Sequence, residues 1–172
     1  MTPRRAFTIG YQGADPDDLA AELRRQGVSV VVDTRLHPTS RRPGFRREAL
    51  RATLEAHGVD YRSEPSLGVP KNIRPLAAKR QALFRAAYEA LLRRVAETVD
   101  EIVQLARRET VALLCFEFEA RECHRLILAE TMAGTTPLAF THLRLGRSDD
   151  TDDEPTLPAM MRPQKQDQIA AG

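Results

Sequence analysis

Val28-Ser29-Val30-Val31-Val32-Asp33 is an almost unbroken β-branched run that ends on a carboxylate. Branching at Cβ favours extended backbone, and an apolar run without polar alternation is what a central strand covered by helices on both faces requires. Before it, Phe7-Thr8-Ile9 reads as a first strand leaving into Gly10-Tyr11-Gln12-Gly13. Between the two, Asp15-Pro16-Asp17-Asp18 has the marks of a helix start: a capping carboxylate, a first-turn proline and acids at the positive end of the dipole. Leu19, Ala20 and Leu23 mark its buried face and Gly27 its stop.

After Asp33 the pattern repeats. Residues 34–45, with Pro38, Pro43 and Gly44, read as a loop, and residues 46–57 as a helix closed by Gly58. Val59-Asp60-Tyr61-Arg62 is a third strand, followed by a proline-bearing loop over residues 63–75. Residues 76–108 are helical with a break near Arg93 or Arg94. Residues 110–116 form the clearest strand, residues 122–132 a helix ended by Gly134, and residues 138–143 a fifth strand. Strands alternating with helices imply right-handed crossovers, hence a Rossmann-like three-layer α/β sandwich with a mostly parallel sheet of about five strands.

The chain has 172 residues, enough for one core without cross-links. Residues 1–147 read as that single domain. Residues 148–172, with 2 basic and 6 acidic groups and no apolar face, read as a disordered acidic tail. Two cysteines, both in one short segment, make no disulfide framework, so a reducing cytoplasmic location is expected. No apolar run is long enough for a membrane span and none follows Arg4 and Arg5 as a leader would require, so neither secretion nor a membrane partner is expected. Of 26 basic residues 23 are arginine, a bias that matches the low lysine content and carries weight only where arginines cluster.

In open α/β sheets ligands bind at the carboxyl ends of the strands. That rule selects Gly10 to Gly13, Asp33-Thr34-Arg35, Glu64 and residues 115–125. Gly10 and Gly13 let a backbone approach a phosphate or simply make a turn, since their spacing is neither the dinucleotide nor the P-loop fingerprint. Asp33, ending a buried strand, must be paired, hydrated or functional, and Arg35 is its natural neighbour. Six arginines from Arg35 to Arg51, Arg41 and Arg42 among them, suit a polyanion or a solvated basic face.

Cys115-Phe-Glu117-Phe-Glu119-Ala-Arg121-Glu122-Cys123-His124-Arg125 is the most informative stretch. It sets two thiols, an imidazole and guanidinium groups between a strand end and a helix start, where backbone N–H groups favour an anion or thiolate. Cys115 and Arg121 have the spacing of a phosphatase loop, but Glu117 and Glu119 would repel phosphate. Cys115, Cys123 and His124 match no known zinc spacing and would need a fourth ligand such as His37 from elsewhere, so no metal is assigned. The remaining reading is ligand recognition by Glu117, His124 and Arg125, with the cysteines as small packing residues.

Taken together, Thr8-Ile9-Gly10-Tyr11, Asp33-Thr34-Arg35 with Pro38 and Ser40, Phe45, Leu67-Gly68, Cys115-x-Glu117 and Cys123-His124-Arg125 resemble the domain-of-unknown-function family numbered 488. The likeness spans residues 6–145. It implies a compact Rossmann-like α/β fold and one shared polar site. Gln12-Gly13, where many members have a small residue, and Val69, where a second glycine is common, depart from the pattern in presumed site loops.

The expected function is binding or transformation of a nucleotide-like or other phosphorylated small molecule at the carboxyl edge. Asp33, Glu117 and His124 would serve proton transfer; Gly10, Tyr11, Arg35, Ser40, Arg41, Arg42, Cys115, Cys123 and Arg125 would hold the ligand. The alternative is a non-catalytic nucleic-acid-binding module, against which stand only nine aromatics and no tryptophan. No cofactor and no oligomeric state is assigned. Arg125→Ala and Glu117→Ala are expected to damage binding with little loss of fold, because both residues lie past the strand end.

Overall fold

In the computed structural model, described here over residues 2–145, five strands are connected by six α-helices. They run β1 (Arg4–Gly10), α1 (Pro16–Arg25), β2 (Val30–Asp33), α2 (Arg47–Ala56), β3 (Asp60–Ser63), α3 (Arg74–Lys79), α4 (Gln81–Arg94), α5 (Ala96–Arg108), β4 (Val111–Cys115), α6 (His124–Thr135) and β5 (Leu138–Leu143). The acidic tail read from residues 148–172 lies outside the described residues. Among the described residues, no helix is long and apolar enough to cross a membrane.

The strands form one all-parallel sheet in the order β3-β2-β4-β1-β5. Connections from β1 to β2 and from β2 to β3 run one way across the sheet, and those from β3 to β4 and from β4 to β5 run the other. With right-handed crossovers this sends α1 and α2 to one face and α3 to α6 to the opposite face. The two cores follow. Phe7, Ala112 and Val31 lie side by side across three strands and pack on Leu19, Leu23, Leu50 and Leu54. Val30, Val32, Val111 and Leu113 face the other way, onto Phe84, Tyr88, Ile102 and Leu128. β2 and β4 alternate between these two apolar layers, which is why Val30 to Val32 and Val111 to Leu114 are continuously apolar.

Local signals act as their chemistry requires. Asp15 caps α1 by accepting from the backbone N–H groups of Asp17 at 2.8 Å and Asp18 at 3.4 Å. The chain turns through left-handed Gly27 and Gly58, at φ of 78° and 72°, to enter β2 and β3. The break expected near Arg93 or Arg94 falls at Val95, and a second break occurs at Arg80, which carries no breaker residue. Gly134 does not end α6. It lies inside the helix, and the stop comes where Pro137 drives Thr136 into extended backbone at φ −155° and ψ 153°.

Leu114 is fully buried in the middle of the sheet, against the α1 and α2 layer. Leu114→Ala leaves a cavity there and is expected to cost about 2–5 kcal/mol, measurable as a lower urea midpoint at unchanged slope.

Candidate functional site

β2 and β4 are neighbours whose connections leave in opposite directions, so the chain parts above them and a crevice opens at the carboxyl edge. Its volume is about 510 Å³, inside the roughly 300–1,000 Å³ of small-molecule sites. The buried side chains of Tyr11, Arg35, Ser40, Cys115, Glu117 and His124 line it, and the exposed residues His37, Arg41, Arg46 and Arg74 stand around its mouth.

One wall is built on β2. The Asp33 carboxylate is fully buried and accepts from the Arg35 guanidinium at 2.6–3.1 Å and from the Tyr61 hydroxyl at 2.6 Å. Arg35 also donates to Tyr11 Oη at 3.2 Å and to the Phe45 carbonyl at 2.9 Å, so it ties β2 to the loop that carries the mouth arginines. Burial works against the Arg35 charge, but bonding to Asp33 outweighs it and holds the guanidinium ionised. Burial and the Asp33 charge push the Tyr61 hydroxyl up to about 12, so it stays a donor. Phe45, fully buried, stacks behind Tyr11 with centroids 4.4 Å apart and supports the wall from within.

The floor comes from the end of β4 and the start of α6. Cys123 caps α6, its Sγ accepting the Arg125 backbone N–H at 3.5 Å. His124 Nδ1 faces both sulfurs, 3.8 Å from Cys115 and 3.7 Å from Cys123. Its Nε2 lies 3.2 Å from both the carbonyl and the hydroxyl of Thr34, whose own proton goes to the Leu114 carbonyl at 2.9 Å. With two acceptors there, Nε2 carries the proton. Cys115 Sγ lies 3.2 Å from the Glu117 carboxylate, so its single proton is shared between that oxygen and the Cys123 sulfur. Burial opposes a charge on Cys123, but the Cys115 hydrogen bond and the positive charges of Arg125 and His124 overcome it and favour the thiolate. That thiolate holds the proton on Cys115. It also offsets burial at His124 and raises its basicity. Burial, reinforced by the Cys123 charge, pushes the Glu117 carboxyl up to about 7.

Arg125 holds the loop between β4 and α6 in place. It is fully buried, and it donates to the Glu117 carbonyl at 2.6 Å, the Phe118 carbonyl at 3.0 Å and Thr8 Oγ1 at 3.4 Å. Gly10 completes this contact, because a Cβ there would stand 1.7 Å from the Glu117 carbonyl oxygen.

Residues 15–132 match the family model described as Domain of unknown function DUF488. The chain belongs to this family. No curated protein and no solved structure matches it. The DUF488 match takes in both the β2 wall and the Cys115 to Arg125 floor, whereas Gly10 and Tyr11 lie before its start.

Several residues expected to meet ligand are spread between crevice and scaffold in this DUF488 chain. Tyr11, Arg35, Ser40, Arg41, Cys115, Glu117 and His124 line the crevice; Asp33, Gly10, Arg42, Cys123 and Arg125 are not among its lining residues. Asp33 is engaged by Arg35 and Tyr61. Arg42 donates to the Ala14 carbonyl and lies over the Phe45 ring at 4.7 Å. Arg46 belongs to the arginine cluster legible from Arg35 to Arg51, but nothing in the sequence brings Arg74, at the start of α3, back across the sheet. Thr34, which orients His124, is legible only as the middle of Asp33-Thr34-Arg35.

The burial of Arg125 changes the outcome expected for its substitution. Arg125→Ala strands two loop carbonyls, each worth about 1–3 kcal/mol when left unbonded, so unfolding curves should show a loss of roughly 2–5 kcal/mol. Gly10→Ala should be destabilising through the same contact. Unchanged stability in both variants would mean that the loop does not depend on this clamp.

Proposed function

We propose that this chain binds and acts on an anionic small molecule of the phosphorylated or nucleotide-like kind, seated in the crevice between β2 and β4. The observation that carries the reading is the polarity of the crevice: Arg41, Arg46 and Arg74 at the mouth, and a buried thiol, carboxyl and imidazole at the bottom. A phosphate suits the mouth, because guanidinium groups recognise its oxygens in pairs and retain their charge at any working pH. The other end of the ligand would then reach Cys115, Glu117 and His124, the groups able to exchange protons or bond to it.

Arg46 is anchored through its Nε to the Ser40 carbonyl at 3.2 Å, which limits the conformational entropy lost when it takes up a ligand. None of the nine aromatic side chains is exposed. Without an open ring platform for bases the nucleic-acid alternative is disfavoured, since single-strand binders stack bases on exposed rings.

Thermal-shift screening with nucleotides, sugar phosphates and inorganic phosphate tests the proposal. A ligand at a hundred times its Kd adds about 2.7 kcal/mol to native stability, which is a rise of several degrees. The Arg46→Ala, Arg74→Ala double variant should keep the melting temperature of the unliganded protein and lose that rise. If no phosphorylated compound moves the melting temperature, the proposal fails.

A further inference from the structure

The three donor atoms at the crevice floor converge in a way that hydrogen bonding alone does not demand. We propose that Cys115, Cys123 and His124 bind a zinc ion, as a three-ligand site whose fourth position faces the crevice. The Sγ atoms of both cysteines and the His124 ring nitrogen lie within 4.8 Å of one another. Bond lengths of about 2.3 Å to sulfur and 2.0 Å to nitrogen at tetrahedral angles place such donors about 3.5–3.8 Å apart. The two Sγ to Nδ1 separations are 3.8 Å and 3.7 Å. One nitrogen facing two sulfurs can share a single proton with only one of them at a time; one cation satisfies all three.

The histidine is set up as a metal ligand. Its Nε2–H is directed to the Thr34 carbonyl and hydroxyl, which leaves the Nδ1 lone pair directed at the sulfurs. Ligating histidines characteristically donate their second ring N–H to a carbonyl or carboxylate, which fixes tautomer and ring orientation. Tyr88 packs edge-on against the ring, with centroids 5.2 Å apart, and holds it from the α4 side. The Arg125 backbone N–H on Cys123 Sγ orients that sulfur in the same manner.

Charge and access point to the same ion. Two thiolates neutralise a divalent cation, and soft sulfur with imidazole selects zinc over magnesium or calcium, which take oxygen ligands. Cys115 and His124 line the crevice, as does Glu117. The open side of the trio therefore meets the space where a ligand sits, and two cysteines and a histidine with a free fourth position are the donor set of catalytic rather than structural zinc. Sequence spacing argues against this site because Cys123 and His124 are adjacent and Cys115 is only eight residues before Cys123. The turn from β4 into α6 folds those eight residues back so that the two sulfurs come within 4.8 Å of each other.

The full chain, reduced and stripped of metal, should be titrated anaerobically with Co²⁺. A near-ultraviolet thiolate-to-metal charge-transfer band should rise to saturation at one equivalent and disappear when Zn²⁺ is added. Cys115→Ser and Cys123→Ser should each cut that band by about half or more. Thr34→Val, which keeps all three ligands, should weaken metal affinity about tenfold to hundredfold. The inference falls if the wild-type chain, folded by circular dichroism and with both thiols titratable, develops no band, or if the band survives intact in folded Cys123→Ser protein. The Arg46→Ala, Arg74→Ala variant should take up Co²⁺ normally, so a failure of the anion reading and a failure of the metal site are separable.

Discussion

The buried guanidinium of Arg125 is the contact on which the arrangement of the site depends. Its bonds go to the carbonyls of Glu117 and Phe118 and to Thr8 Oγ1, all neutral acceptors. A cation removed from water costs several kcal/mol unless its donors are matched, and these carbonyls are matched only while the loop stays folded over the end of β1. The penalty thus becomes a restraint on loop shape. Gly10 permits the close approach, and the bonds from the Tyr11 and Gln12 N–H groups to the carbonyls of Cys115 and Phe116 extend it along the backbone. Thr8 carries the restraint sideways, since its hydroxyl also meets His142 Nδ1 at 2.8 Å, and burial together with the Arg125 charge keeps that imidazole neutral.

A second restraint of opposite construction holds the other side of the crevice. Asp33 and Arg35 are both buried, but here cation and anion face each other directly, with Tyr61 occupying a further acceptor position. Removing either partner would leave an uncompensated buried charge. The pair therefore couples β2, β3 and the loop before α2 into one unit, while Arg125 couples β1, β4 and α6 into another. The crevice is the seam between these two units. Its position follows from strand order, because β2 and β4 are the adjacent strands whose connections part.

Much of this fold is legible in the sequence because apolar runs, caps and glycine stops are local signals. β5 spans the same six residues that its pattern predicts, and Asp15 caps the helix that it announces. The errors lie where a second signal overrides the first. Gly134 reads as a stop on composition, yet the helix passes through it until Pro137 restrains its predecessor. For the site, position at the strand ends was readable, and so was the gathering of Tyr11, Arg35, Cys115 and His124. The burial of Arg125 was not. Asp33, ending a buried strand with Arg35 two residues on, already reads as a carboxylate in need of a partner, whereas Arg125 looks like surface chemistry past a strand end and only the packing of α6 on β1 shows it to be interior. Arg74 is the converse case, a lone arginine in a proline-bearing stretch that the crossover from β3 returns to the crevice mouth.

The division between buried and exposed arginines bears on how a ligand would approach. Exposed guanidinium groups in open water contribute little, being screened beyond about 8 Å at physiological salt. At the mouth of a crevice with apolar walls, such as Tyr11, Val69 and Phe116, field lines are concentrated and the same charges act over a longer range. Of the buried arginines, Arg35 is balanced by Asp33, and Arg125, bonded to two carbonyls, is not among the crevice-lining residues, so the guanidinium groups that an incoming anion meets first are those at the rim. The net attraction for an anion therefore resides at the rim. On the proposed anion reading, the charged end of a ligand would be held at the rim by Arg41, Arg46 and Arg74, and the opposite end would lie toward Cys115 and His124.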